Sequence, residues 1–350
     1  MDNLYQLIKI FGNPDALIDH WDTSSNRYAI WEFEETFSIN NKGEALLNGK
    51  LSHESPLELF QKTLDNWKSE SNELSAVGYI SYDFKNILFP HIAFSNPNST
   101  QPLLWFGKPK LVVPYRITES ELETASPVFR LKKDIPPPHE YKESIRKIKT
   151  ALSNGDSYQI NFTQPKKFEI TDNPLDIYLS IREMARPHYG MYLNQKDFQI
   201  LSFSPEQFFR TKNRKIESFP MKGTRPRSND LIMDERLAAE LFQSVKDRAE
   251  HLMIVDLIRN DLGKICDYDS VKVDDLYGIQ SFKTVHQMVS RVYGKLQNSI
   301  TESDIIRALF PGGSITGAPK EKSMEIIDTL EGYQRGIYTG CLGYIQPNGD

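Results

Sequence analysis

Two residues in this chain have the types and spacing of a paired nucleophile and acid. Glu206 and Lys222 lie within one stretch, SFSPEQFFRTKNRKIESFPMKGTRPR, spanning 202–227. Lys222 sits between Met221 and Gly223, after Phe219 and Pro220. An amine in such surroundings can be desolvated, which lowers its pKa from about 10.4 and frees the lone pair for attack. Glu206 follows Pro205, where a carboxyl could hand over a proton. Residues 198–203 and 215–219 read as strands. A hairpin-like layout would bring both side chains to one rim of a sheet. The plainer alternative is a surface lysine in a turn before Arg225 and Arg227.

A second stretch, FPGGSITGAPK at 310–320, suits an anion. Backbone N–H groups across Gly312, Gly313, Ser314, Ile315, Thr316 and Gly317, with the helix that starts at Pro319, form a cradle for negative charge. A Walker A loop would need Gly-Lys-Ser/Thr at its end, whereas here Gly317 precedes Ala318-Pro319-Lys320. The loop therefore fits a carboxylate better than a triphosphate; a glycine-rich turn is the competing reading. In DRAEHLMIVDLIRN (247–260), Glu250 falls in the first helical turn and suits a hard cation such as magnesium. Asp247, Asp256 and Asp261 look equally plausible there, Asp261 also as a helix-ending residue. His286, in TVHQMVSRV, reads first as a hydrogen-bonded core histidine and second as a base or substrate contact.

The elements that must position these groups follow from the apolar pattern. Residues 28–37, 77–84 and 103–115 read as strands, and 55–68 as a helix opened by Pro56 with Leu57, Phe60, Leu64 and Trp67 on one face. KKDIPPP at 132–138 is the natural connector, which divides a first region, 1–131, from a second, 139–350. Beyond it come helices over 139–152, 173–186, 236–245 and 247–260, a strand over 157–163, and strands within 271–296. The chain has 350 residues, a net charge of −5 and only two cysteines. That balance lacks the basic excess of a nucleic-acid binder, excludes a disulfide framework or cysteine-rich zinc site, and fits a reducing cytoplasm. No apolar run is long enough for a membrane span or a signal peptide.

SFSPE, PMKGTRPR, DRAEHLMIVDLIRND and PGGSITGAPKEKSMEIID, in this order and spacing, resemble the chorismate-utilising enzymes. The resemblance is specific from about residue 139 onward and weaker before it. It implies an α+β fold of two large antiparallel sheets packed face to face, with helices outside and both regions interleaved in one globule. It also implies roles. Magnesium, held partly by Glu250, would bind the ring carboxylate; Lys222 would attack the ring; Glu206 would protonate the leaving hydroxyl; ammonia would displace the lysine. Ser314, Tyr344, His286 and Lys320 line up with the family's substrate pocket, alongside the Gly312–Thr316 backbone. Lysine at 222 resembles the aminodeoxychorismate synthase branch; anthranilate, isochorismate and salicylate synthases typically carry alanine. Anthranilate synthase, or an inactive chorismate-binding chain, is the alternative. Neither Cys266 nor Cys341 resembles a glutaminase nucleophile, so a separate glutamine amidotransferase subunit is implied as the ammonia source, with free ammonia as the fallback. Two departures stand out. The resemblance implies a family that continues past Asp350 with an arginine strand, a second glycine-rich loop and a second magnesium glutamate, so the 350-residue form is expected to have half a metal site and to be weak or inactive. His188-Tyr189-Gly190 replaces the Pro-Phe-Ser strand that buries a tryptophan in some relatives, so no tryptophan site is expected.

Overall fold

The computed structural model describes residues 2–20, 27–71, 73–95, 100–116, 129–134 and 138–350. Part of the proline connector, 135–137, lies outside the described residues.

Among the described residues the first sheet has ten strands and mixes both regions of the chain. Its order runs Gln199–Ser204, Tyr189–Asn194, Ala16–His20, Arg27–Ile39, Leu104–Arg116, Ala76–Ile80, Cys341–Ile345. All the pairings along this path are antiparallel. Strands from before the connector are hydrogen-bonded on both flanks to strands from after it. Residues 1–131 and 139–350 are therefore not separate sheets. Alternation explains the two cores on its faces. Phe37, Ile39, Ile80, Leu104 and Phe106 point one way, onto Phe60, Leu64 and Trp67 of the Pro56–Glu70 helix. Val77, Tyr79, Trp105, Met191 and Leu193 point the other way.

The second sheet has five strands among the described residues and is built on the long Val285–Lys295 strand. Lys215–Ser218 and Met221–Pro226 pair with it on one edge and Lys272–Ser281 on the other. The helices Val245–Gly263 and Glu302–Leu309 cover this sheet through Ile254, Val255, Ile258, Leu262, Ile305 and Leu309, which pack on Ile216 and Val292. Thr301 and Asp304 close a capping box at the start of the shorter helix.

The α+β class with antiparallel sheets is borne out. The hairpin expected for 198–219 is not what forms. Gln199–Ser204 is the edge of the first sheet, whereas Lys215–Ser218 belongs to the second. The chain crosses from one sheet to the other between them, with Phe208 touching the cores of both. Residues 157–163 carry only a two-residue strand, Gln159–Ile160, since its partner is the equally short Gly317–Ala318. Among the described residues no helix is long and apolar enough to cross a membrane.

Candidate active site

Glu206 lies in the crossover between the sheets. Ser204, the last residue of its strand, brackets it: the Ser204 hydroxyl accepts from the Glu206 N–H at 3.2 Å and donates to the Glu206 carbonyl at 2.9 Å. That turn aims the side chain into the seam. The residue as a whole keeps partial exposure, but its carboxyl group is enclosed. Burial pushes the carboxyl up to about 7, overcoming the Ser314 hydroxyl, the charge of Lys222 and the Met221 N–H, which all favour ionisation.

Lys222 sits on the Met221–Pro226 strand itself, not just past a strand end. Its Nζ donates to the Ser314 carbonyl at 3.1 Å. Burial lowers its pKa, against the opposing pull of Glu206 and Glu250. Ser314 is thus the shared partner, its carbonyl accepting from the Lys222 amine and its hydroxyl donating to the Glu206 carboxyl. The tertiary fold unites Glu206, Lys222, Glu250 and Ser314 from four separate elements.

The glycine-rich loop is a tight turn, Gly313–Ile315, rather than a long open loop. The Thr316 hydroxyl donates to the Gly312 carbonyl at 2.9 Å, and Asn161 and Arg335 donate to the Ile315 carbonyl at 3.1 and 2.8 Å. Gly317 is a true steric requirement: at φ +150°, a Cβ there would lie 2.0 Å from the Gln159 carbonyl oxygen. Lys320 is buried, and its amine donates to Asp261 at 2.6 Å and to the Leu309 carbonyl at 3.2 Å. Its charge braces the loop against the Val245–Gly263 helix instead of standing free.

That same helix carries four carboxylates that the sequence could not rank. Asp247 is taken by Arg225 at 3.0 Å, Asp261 by Lys320 and Lys264, and Asp256 by Arg259 on an exposed face. Glu250 keeps only a loose approach to Lys246, 3.7 Å, with its side chain 37% exposed. Its charge is the one from this helix that acts on the Lys222 amine.

Two of the expected pocket residues are engaged elsewhere. His286 is buried with both ring nitrogens in use, one 2.9 Å from Asp234 and the other 2.9 Å from the Ser281 hydroxyl. Asp234 is itself forked by Arg227, which holds it far below the usual carboxylate range. This matches the hydrogen-bonded core reading of His286. Tyr344 belongs to the first sheet, opposite Val77, and its ring packs on Tyr28 and His20 at 6.3 and 6.5 Å. It joins an aromatic core, not the Lys222 group. His188 packs its ring on Phe282 at 4.8 Å, and Gly190 lets the Tyr178 hydroxyl come within 2.9 Å of where a Cβ would stand.

Sequence reading missed His251. It is fully buried, bonds the Ser290 hydroxyl at 2.7 Å, and is held down to about 4 by burial and by the charge of Lys222. Its place directly after Glu250 was the available signal. Arg335 was also missed. It forks onto Glu331 and reaches the carbonyls of Ile315 and Asn161, so it fixes the loop from behind. Nothing in its local sequence marks it out, since its partners converge only on folding.

A family model described as chorismate binding enzyme matches residues 15–350. The chain belongs to the chorismate binding enzyme family. Among curated relatives it is 42% identical over 210 residues to aminodeoxychorismate synthase component 1 of Bacillus subtilis, covering 60% of this chain and 45% of that one. It is 37% identical over 212 residues to anthranilate synthase component 1 of Saccharolobus solfataricus, covering 61% and 50%. The matched segment is thus about half the length of these relatives. Among solved structures, anthranilate synthase component I from Streptococcus pneumoniae superposes with a TM-score of 0.80 at 24% identity, over 94% of this chain and 82% of that one. That likeness establishes the shared fold.

Proposed function

We propose that the protein acts as the large component of aminodeoxychorismate synthase, converting chorismate and ammonia to 4-amino-4-deoxychorismate. The observation that carries this reading is the buried pair itself. Lys222 is desolvated toward the neutral amine, and Glu206 keeps its proton up to about pH 7, with Ser314 touching both. A nucleophile and an acid need those opposite protonation states at one pH.

In the reaction, the neutral Lys222 amine forms a C–N bond to the substrate ring. The ring double bond shifts, and the hydroxyl at the far carbon leaves with the Glu206 proton as water. The attached nitrogen sheds its extra proton. Glu206, recharged by that proton, returns it to the lysine nitrogen as ammonia adds at the carbon the hydroxyl left; the shift reverses, Lys222 leaves as the neutral amine, and the new ammonium group gives its extra proton to the Glu206 carboxylate. The Gly312–Thr316 turn would hold a substrate carboxylate; Lys320 supports that turn through Asp261. Magnesium fits Glu250, because that ion commonly takes one or two protein carboxylates and completes its shell with water and substrate. Once bound, it would supply Lewis-acid polarisation of the ring carboxylate.

Ammonia comes from a separate glutamine amidotransferase in this reading. Burial pushes the Cys266 thiol up to about 11 and the Cys341 thiol up to about 12, which is the wrong direction for a glutaminase nucleophile. A cytoplasmic location accords with these free thiols. The test is product mass from chorismate, ammonium and Mg2+, comparing wild type with Lys222→Ala. The expected product is aminated chorismate that retains its pyruvyl group, lost in the variant. Anthranilate as the main wild-type product would overturn the assignment.

A further inference from the structure

Asp247 sits one turn before Glu250 on the same helix, close enough for the two carboxylates to share a face. Yet Glu250, not Asp247, joins Glu206 in acting on the Lys222 amine. Glu250 meets Lys246 only loosely, at 3.7 Å, whereas Asp247 is held at 3.0 Å by Arg225. That arginine follows Lys222 by three positions on the Met221–Pro226 strand, and its guanidinium donates to Asp247 Oδ2 at 3.0 Å while lying 3.5 Å from Glu240. The pair is sheltered, with side chains 24% and 16% exposed, so solvent screens it less than a surface bridge. The Asp247 N–H is in turn capped by the Ser244 hydroxyl at 3.3 Å. Between Lys222 and Arg225 the strand bulges at Gly223, with φ +79°. A Cβ there would meet Leu241 at 2.9 Å and Asp247 at 3.1 Å, so strand and helix touch with no room to slide.

We propose that Arg225 is a positioning residue that selects the metal carboxylate: by occupying Asp247, it leaves Glu250 as the carboxylate of this helix offered to a divalent cation beside Lys222. The inference rests on Glu250 as the magnesium carboxylate. It makes the two halves of one ion pair act in opposite directions. Removing Arg225 releases Asp247 beside Glu250 and gives the cation a second anionic ligand. Neutralising Asp247 leaves the guanidinium with only Glu240, 3.5 Å away, to offset its charge one turn from Glu250, where it competes with the cation. A simple structural brace would weaken cation binding in both cases.

The probe is MgCl2 alone, titrated calorimetrically into the full chain without substrate. From the effect of ligand charge count on affinity, Arg225→Met should tighten the Mg2+ Kd about 5-fold. Asp247→Asn should weaken it by a similar factor, and the double variant should return to near the wild-type value. Arg225→Lys, which preserves the pair and the fold, should bind like wild type. Shifts of the two single variants in the same direction, no shift in either, or no Mg2+ binding by any of the proteins overturn the inference. The amination assay is separate: opposite Mg2+ shifts without aminated product would refute the proposed activity and leave the selection by Arg225 standing.

Discussion

Replacing Glu206 by Gln should inactivate the protein and stabilise it at once, by an amount that grows as pH rises from about 4.5 to about 7. The carboxyl is raised from 4.5 to about 7 in the folded chain, chiefly by burial. Below about pH 4.5 both folded and unfolded states hold the proton, and the site costs nothing. As pH rises from there toward 7, the unfolded chain releases its proton while the folded one keeps it, so stability falls. Above pH 7 the folded state carries a buried carboxylate, and the accumulated cost is at most about 3 kcal/mol, at 1.36 kcal/mol per unit. Glutamine avoids that cost while its oxygen still accepts from the Ser314 hydroxyl and the Met221 N–H. Its NH2 lies near Lys222 and gains less, so a net gain of about 1–3 kcal/mol at pH 8 is expected. With unfolding entropy near 2.1 cal/mol/K per residue, that is a rise in Tm of roughly 1–4 °C. At pH 4.5 the difference should vanish. Over the same range kcat should fall by about 10²–10⁴-fold, because a general acid is lost. Thermal melts of both proteins at pH 4.5 and 8, beside the turnover assay, read all of this. A Tm difference that does not change with pH, or a variant less stable at pH 8, would refute the claim that burial holds Glu206 protonated.

Wild-type kcat should decline as pH rises through about 7, where Glu206 loses its proton, and stopped assays across pH 6–9 should show that limb disappear in Glu206→Gln. Arg335→Met should cost about 3–5 kcal/mol in urea denaturation, since it strands Glu331, whose side chain is 2% exposed, as a buried unpaired charge. Gly317→Ala should lose about 2–4 kcal/mol, because the new Cβ would stand 2.0 Å from a backbone oxygen; a melt within 1 °C of wild type would show that the turn can yield. Chelation of Mg2+ with EDTA should abolish amination and be reversed by added Mg2+.

The sequence by itself determined the chemistry on offer. An amine among Met221, Gly223 and Pro220, an acid after Pro205, a glycine turn and a carboxylate-bearing helix are local facts, set by residue type, turn residues and 3.6-residue periodicity. The α+β class and most helix positions follow from the same short-range signals. Only the tertiary structure decided which groups meet and in what protonation state. Glu206 and Lys222 are brought together by a crossover between two sheets, not by a hairpin, and the cores on either side of that crossover are assembled from residues far apart in the chain. Which carboxylates of the Val245–Gly263 helix are ion-paired depends on partners 22 and 59 positions away, Arg225 and Lys320. Tyr344 looked like a pocket residue until strand pairing turned it toward Tyr28 and His20. Burial and ion pairing set a side chain's charge, and both arise from long-range contacts that no local pattern encodes.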